Sequence, residues 1–120
     1  MPTLTSLMEA LQRRLSLARE WQQYLARFPV LLCPVSAESP FADMLDVESP
    51  ESFARVLEAQ MTQIGLPLMG MPGMSVVTSG SGDQPMGVQL VAGRFREDVL
   101  LAAAADIEAR NASPGVAELD

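Results

Sequence analysis

The chain contains no histidine and no lysine among its 120 residues, and its eight basic residues are all arginine. A serine or cysteine becomes a nucleophile only beside a base, which is usually histidine or lysine. Within these residues, their absence excludes a Ser-His-Asp triad, a Cys-His pair, a Ser-Lys dyad and a lysine Schiff base. It also excludes the phosphate-binding P-loop, which depends on a lysine. We expect no catalytic residue in this chain.

Cysteine is almost as scarce, because Cys33 is the only one. A single cysteine forms no internal disulfide, which favours a reducing compartment, and we expect a cytoplasmic location. With no histidine in the chain, Cys33 gives no basis for a zinc site. The thiol is either a nucleophile or a small buried apolar residue, and its place in the apolar run from Val30 to Pro34 favours the second. We expect neither a metal nor a cofactor.

Long hydrophobic runs and clusters of positive charge are missing too. No segment holds the roughly 18 apolar residues that cross a membrane, and Met1 to Arg14 lack the basic-then-apolar pattern of a signal peptide. The net charge is −7, and the arginines are scattered along the sequence. Because a nucleic-acid binder presents a basic face, we expect no nucleic-acid partner and no phosphate site, and the hydropathy gives no membrane partner.

Hydrophobic residues nevertheless make up 48% of the chain, which is enough for one packed domain. Apolar residues recur every three or four positions from Leu4 to Phe28, which predicts a long amphipathic helix that Pro29 ends. Ser6 and Glu9 have the spacing of a capping box. The apolar stripe would suit a membrane or a partner helix, but such stripes more often pack against their own domain, and we expect that here.

The remaining pattern predicts an α/β chain. We expect a helix over 1–28, strands, a loop and a helix over 29–95, a closing helix over 96–111 and a tail over 112–120. Within these ranges the helices fall near 4–28, 50–64 and 97–110, the strands near 30–33, 74–78 and 86–92, and a long loop over 34–50. The second and third strands lack clean alternation, which predicts that both are covered on two faces.

Capping residues and glycines set the expected boundaries. Ser49 followed by Pro50 is typical of a helix start, and Gly65 is expected to end that helix. Asn111 is expected to cap the last helix. Gly87 lies inside an apolar strand, where glycine usually marks a bulge or a close approach of backbone, so we expect it to resist substitution.

The segment from Ser79 to Gly82 contains two serines between glycines and therefore invites a catalytic interpretation. A serine nucleophile needs a base that this chain does not offer, so we expect a polar hairpin turn over 79–85. The glycine spacings in this region also fail the dinucleotide fingerprint. Tight turns explain these glycines better than nucleotide binding.

Two other groups of residues suggest metals only at first sight. Asp43, Asp46 and Glu48 share the predicted loop, but they lack the spacing of a calcium loop, so a solvated loop is favoured. Most of the methionines lie between Met61 and Met86 beside apolar residues and glycines. Core filling is therefore favoured over a soft-metal site.

Several segments, taken in order, resemble the C-terminal end of the amidase-signature family. They are residues 28–35 (FPVLLCPV), 63–67 (QIGLP) with 71–73 (MPG), 85–91 (PMGVQLV), and the closing helix over 94–101 and 105–108. The resemblance covers nearly the whole chain. Its most specific part is Gly87-Val88-Gln89 with the helix behind it.

The resemblance implies a fold and an activity. Members of the family hydrolyse amides with a Ser-cisSer-Lys triad and a Gly/Ser-rich oxyanion loop, on a large α/β/α domain built around a mixed sheet. Those catalytic parts lie upstream of the matched region, and the absence of lysine agrees with this. The chain would supply part of the sheet and a few covering helices.

Three interpretations of such a fragment stay open. It is the C-terminal part of a longer or truncated amidase-like hydrolase, one piece of a split amidase, or an independent binding or interaction module that reuses part of the fold. The first is favoured. It predicts self-association or pairing with the missing N-terminal amidase part.

Overall fold

A computed structural model describes residues 1–78 and 86–111 of the chain. In chain order the elements are α1 (Leu4–Arg27), β1 (Val30–Pro34), α2 (Leu45–Glu48), α3 (Pro50–Ala59), α4 (Met61–Met69), β2 (Gly73–Thr78), β3 (Met86–Ala92) and α5 (Glu97–Arg110). The predicted tail, 112–120, and the predicted hairpin turn, 79–85, lie outside the described residues.

Strand β3 is the centre of the described sheet, whose order is β1-β3-β2. Both neighbours pair with it antiparallel, so that Cys33 and Ser75 lie opposite Gln89 on its two sides. From Gln89 to Ala92 every residue of β3 is buried, which confirms the prediction that this strand is covered on two faces. The same prediction is wrong for β2, in which Val76 is the only buried residue.

Helices lie on both faces of this sheet. On one face α5 brings Leu100 and Ala104 against Leu90 and Ala92. On the other face α1 and α4 pack around Val91 in a second cluster, whose buried members also include Leu25, Leu66 and Met71. Because successive strand residues point to opposite faces, β3 contributes to both cores. The predicted fold class, an α/β fragment with helices covering a partial sheet, is confirmed.

The long helix α1 begins where the periodicity predicts, but its capping residue is different. Thr3, not Ser6, is the N-cap: its hydroxyl accepts a hydrogen bond of 3.1 Å from the Ser6 backbone N–H. Ser6 completes the box by accepting from the Thr3 N–H at 3.0 Å. A serine at the third helical position thus does the work expected of Glu9.

The apolar stripe of α1 packs against its own domain only near the end of the helix. Leu25 is buried and Trp21 is partly buried. Towards the start, the stripe is in solvent, with Leu4 76% exposed. The expectation that the whole stripe packs internally is therefore wrong, because α1 is longer than the α4 surface beneath it. No helix in the two described ranges is both long and apolar enough to cross a membrane.

The expected helix over 50–64 is divided in two. Ser49 caps α3 as predicted, with Pro50 at the first position, but the helix ends at Ala59 and α4 begins at Met61. Gly65 lies inside α4 and does not end it. That role falls to Gly70, which adopts a left-handed φ of 66°. The Gly-Leu-Pro segment that follows Ile64 is therefore helical.

The predicted loop over 34–50 and the predicted helix cap Asn111 remain to be compared with the structure. The predicted loop over 34–50 contains the short helix α2, which follows Met44 in a left-handed conformation with φ 59°. Asn111 is the C-cap of α5, as expected, and its side chain donates a hydrogen bond of 2.7 Å to the Ile107 carbonyl. The acidic residues Glu97 and Asp98 lie in the first turn of α5, where the helix dipole favours negative charge.

Gly87 lies opposite Val77 in the pairing of β2 with β3. A Cβ atom at position 87 would lie 3.2 Å from the carbonyl oxygen of Val76, which is closer than such contacts normally are. We expect Gly87→Val to destabilise the fold by about 1–3 kcal/mol, because backbone atoms must shift to make room. Denaturant unfolding measures this, with Ser75→Val on the exposed face of β2 as control. An unchanged midpoint for Gly87→Val would contradict the close-approach argument.

Gly65 gives the opposite expectation. It lies within α4, and a Cβ atom there would meet nothing within 4 Å. Glycine in a helix interior costs up to about 1 kcal/mol relative to alanine. We therefore expect Gly65→Ala to raise the free energy of unfolding by a comparable amount. A destabilised Gly65→Ala chain would show that α4 is not helical at this position.

Candidate functional site

Cys33 lies in β1 on the side of the sheet that faces α1 and α4, where it packs against the cluster around Val91. Burial raises the pKa of its thiol above the ordinary value. The thiolate is the nucleophilic form, so a raised pKa makes the side chain less reactive. This supports the interpretation of Cys33 as a packing residue.

The other sequence candidates do not form a site in the described residues. Ser79 and Ser81 lie outside them. Asp43, Asp46 and Glu48 lie in or near α2 and are all exposed. Among residues 1–78 and 86–111, no group of three or more acidic, histidine or cysteine side chains is placed to hold a metal ion.

A cleft of about 720 Å³ lies beside the segment that follows β1. It is lined by Pro34, Val35, Ser36, Glu38, Ser39, Pro40, Phe41, Gln60, Met86 and Gly87. Its walls combine apolar surface with hydroxyl, amide and carboxylate groups. Such a surface can bind an organic molecule.

Hydrogen bonds to α3 and α4 hold the wall of this cleft in place. The Val35 carbonyl accepts from the Gln63 side chain at 2.8 Å and from the Thr62 hydroxyl at 3.3 Å. The Ala37 N–H donates to the Ala59 carbonyl at 3.0 Å. These bonds explain why β1 is followed by a fixed turn against α4, although the sequence there reads as a loop.

An ion pair adds a further contact between this segment and α3. Arg55 donates from Nε to both carboxylate oxygens of Glu38, at 3.2 and 3.0 Å. The hydrogen bond from Arg55 lowers the pKa of Glu38 and keeps it charged. Both side chains are exposed, so the pair contributes little to stability.

Gln89 is a buried polar residue that sequence analysis used only as part of the family resemblance. It is 6% exposed. It lines a cavity of about 230 Å³ under α4, together with Gln63 and Ser75. A glutamine within an otherwise apolar strand is the feature of the sequence that could have indicated this cavity.

The arginines are not scattered in space as they are in the sequence. Arg14 and Arg19 on α1 and Arg94 after β3 line one cavity of about 310 Å³. Packing α1 across the end of α4 brings residues 14 and 94 together although 80 positions separate them. Scattering along the sequence, from which we expected no phosphate site, therefore does not describe where these three arginines lie in the fold.

Known proteins place this geometry in a family context. No protein-family model matches the chain. An indoleacetamide hydrolase from Bradyrhizobium japonicum is 33% identical over 108 residues, which are 89% of this chain and 23% of the relative. A glutamyl-tRNA(Gln) amidotransferase subunit from Desulforudis audaxviator (strain MP104C) is 30% identical over 94 residues, 78% of this chain and 18% of that relative.

A solved structure gives the same result for the fold. The crystal structure of the corresponding glutamyl-tRNA(Gln) amidotransferase subunit from Thermotoga maritima matches with a TM-score of 0.74 and 24% identity, over 89% of this chain and 23% of the matched one. The chain thus spans about a fifth of the length of the proteins that it matches. Those proteins are amidase-signature enzymes, and this chain corresponds to the C-terminal portion of that family.

Proposed function

We propose that the chain functions as the C-terminal part of an amidase-like hydrolase and that it is inactive by itself. The observation that carries this proposal is the extent of the match, which takes in 89% of this chain but only 23% of the hydrolase relative. The chain has no histidine or lysine to activate a serine. The hydrolysis of an amide C–N bond then requires groups from another part of the protein.

In this proposal the chain supplies scaffold and binding surface. The cleft beside Val35 and the cavity at Gln89 open next to a sheet whose outer strands, β1 and β2, have free edges among the described residues. Free strand edges pair readily with further strands. The remainder of an amidase-type sheet would extend from these edges and bring the reacting groups to the cleft.

Exposed apolar surface supports the need for a partner. The start of α1 presents one continuous apolar stripe to solvent, made of Leu4, Leu7, Met8, Leu11 and Leu15. Contiguous apolar patches of this kind usually mark interaction sites. We infer that the missing N-terminal amidase part, or a second copy of the chain, covers this stripe. The lone cysteine fits a cytoplasmic setting for such an assembly.

A second candidate function is an independent, non-catalytic binding module. The observation that favours it is the pair of closed clusters on the two faces of β3, around Leu90 and Val91. Buried clusters on both faces of the sheet are what independent folding of such a module would require. A split amidase, in which the two parts are separate polypeptides, would combine both properties.

The first prediction concerns activity. We expect the purified chain to release no carboxylic acid from indoleacetamide or from simple aryl and aliphatic amides, because it lacks a base for any serine. Product formation is followed by chromatography, with a Ser79→Ala, Ser81→Ala variant as control. Turnover well above that control would contradict the proposal that the catalytic groups come from another part of the protein.

The second prediction concerns association. We expect the purified chain to be oligomeric, because the α1 stripe and the edges of β1 and β2 are uncovered. Size-exclusion chromatography with light scattering measures the mass. Introducing charge with Leu7→Glu and Leu11→Glu is expected to shift the distribution towards monomer, since a charged side chain does not bury in such a contact.

The control for this test is Ser16→Glu, which adds charge to α1 outside the stripe and is expected to leave the mass unchanged. A parent chain that stays a 12.9 kDa monomer at high concentration, with cooperative unfolding, would contradict the prediction. That result would favour the independent module.

A further inference from the structure

We propose that the cavity between α1, the end of α4 and the turn after β3 is a binding site for a small oxyanion, a carboxylate or a phosphate group. It has a volume of about 310 Å³ and is lined by Arg14, Leu15, Ala18, Arg19, Gln22, Met69 and Arg94. This volume is in the range of small-molecule sites. The inference concerns this chain alone and does not depend on amidase activity.

The charge of the cavity is the first argument. Three of the eight arginines line it, and it has no acidic lining residue, in a chain whose net charge is −7. The described ion pairs use Arg55, Arg96 and Arg110. No carboxylate is within ion-pair distance of Arg14, Arg19 or Arg94 in the described residues. Positive charge is thus concentrated at one place without a countercharge.

Part of this arrangement has a structural explanation. Arg14 donates from Nε to the Leu68 carbonyl, and Arg94 donates from Nε to the Gly70 carbonyl at 3.4 Å. Both therefore satisfy carbonyl groups at the end of α4, where the helix dipole is negative. These bonds fix the stems of the two side chains. They leave the Nη atoms of both guanidinium groups without a hydrogen bond among the described residues.

Arg19 has no such structural role. In the described part of the chain its guanidinium group donates no hydrogen bond to protein, yet the residue lines the same cavity. Three guanidinium groups, two of them fixed and one free, thus offer N–H donors towards one space. Charge-assisted bonds from such groups are well suited to carboxylate and phosphate oxygens.

Gln22 holds the backbone of the turn that carries Arg94. Its Oε1 accepts the Arg94 backbone N–H at 3.1 Å, which fixes the amide and leaves Nε2 as its free end. Nε2 is buried, and within the described residues it has no hydrogen-bond partner. Because Nε2 is buried, a ligand oxygen in the cavity does not reach it, and the amide acts by holding the turn at Arg94. The accessible side-chain polar groups that line the cavity are guanidinium N–H donors, and an oxyanion offers the matching acceptors.

The backbone of the site is adapted to the arginines. A Cβ atom at Gly70 would lie 3.0 Å from Nη2 of Arg94, and Gly70 adopts a left-handed φ of 66°. Glycine therefore both ends α4 and leaves space for the guanidinium group. The apolar side chains of Leu15, Ala18 and Met69 form the rest of the wall. That wall suits an organic carboxylate better than a fully hydrated ion.

The experiment titrates the full chain with benzoate, with inorganic phosphate and with benzamide, which is the neutral counterpart of benzoate. Calorimetry measures affinity, and ¹⁵N NMR follows the side-chain amide signal of Gln22. We expect at least one of the two anions to bind saturably and to shift that signal, and benzamide to do neither. Benzoate alone would identify an organic carboxylate site, and phosphate alone a phosphate site.

Two variants separate a site from general charge attraction. Arg19→Gln removes a cavity arginine that makes no hydrogen bond within the described protein, so the fold is expected to persist, and affinity is expected to fall by about tenfold. Arg13→Gln makes the same change of charge on α1 outside the cavity and is expected to change affinity by less than about twofold. Absence of saturation with both anions, equal binding of benzamide, or equal losses in the two variants would overturn the proposal.

Discussion

The burial of β3 on both faces is the constraint on which the rest of the structure depends. Leu90 and Ala92 require an apolar layer on one side of the sheet, and Val91 requires another on the opposite side. A strand that is covered on two faces cannot stand at the surface of a two-layer fold. The positions of α5, and of α1 with α4, follow from this requirement. So do the places where clefts form, because helices that cover three strands leave gaps at their ends.

The same constraint separates what this sequence predicts from what it leaves open. Periodicity places α1 and α5 closely, because an amphipathic helix repeats its pattern over many residues and α1 alone spans Leu4–Arg27. The end of α4 is predicted less well. Gly65 is a typical helix terminator by type, but Leu66 is needed in the core around Val91, and continuing the helix to Gly70 brings it there. Packing thus outweighs the local preference of one glycine.

The candidate sites show a different limit. The exclusion of a nucleophile activated by histidine or lysine from within these residues follows from residue types alone, since no arrangement of this chain supplies either residue. The arginine-lined cavity does not follow, because Arg14 and Arg94 meet only when α1 lies across the end of α4. Neither the net charge nor the spacing of the arginines along the sequence predicts that α1 crosses α4 at this point. Gln89 falls between these cases, since a polar residue in an apolar strand is visible in the sequence but the cavity beside it is not.

The exposed apolar surface and the arginine cavity suggest different functions. The apolar stripe of α1 from Leu4 to Leu15 and the edges of β1 and β2 are features that a larger fold covers, and the match to about a fifth of longer amidase-signature enzymes is the reason to expect one. The arginine cavity differs, because two of its three guanidinium groups, those of Arg14 and Arg94, are held by carbonyl groups at the end of α4 within this chain. A covering domain must bury the stripe, whereas the cavity has its geometry already. Preorganised donors bind without the cost of ordering them. The cavity and the stripe adjoin at Leu15, so a partner that covers the stripe also lies next to the ligand site.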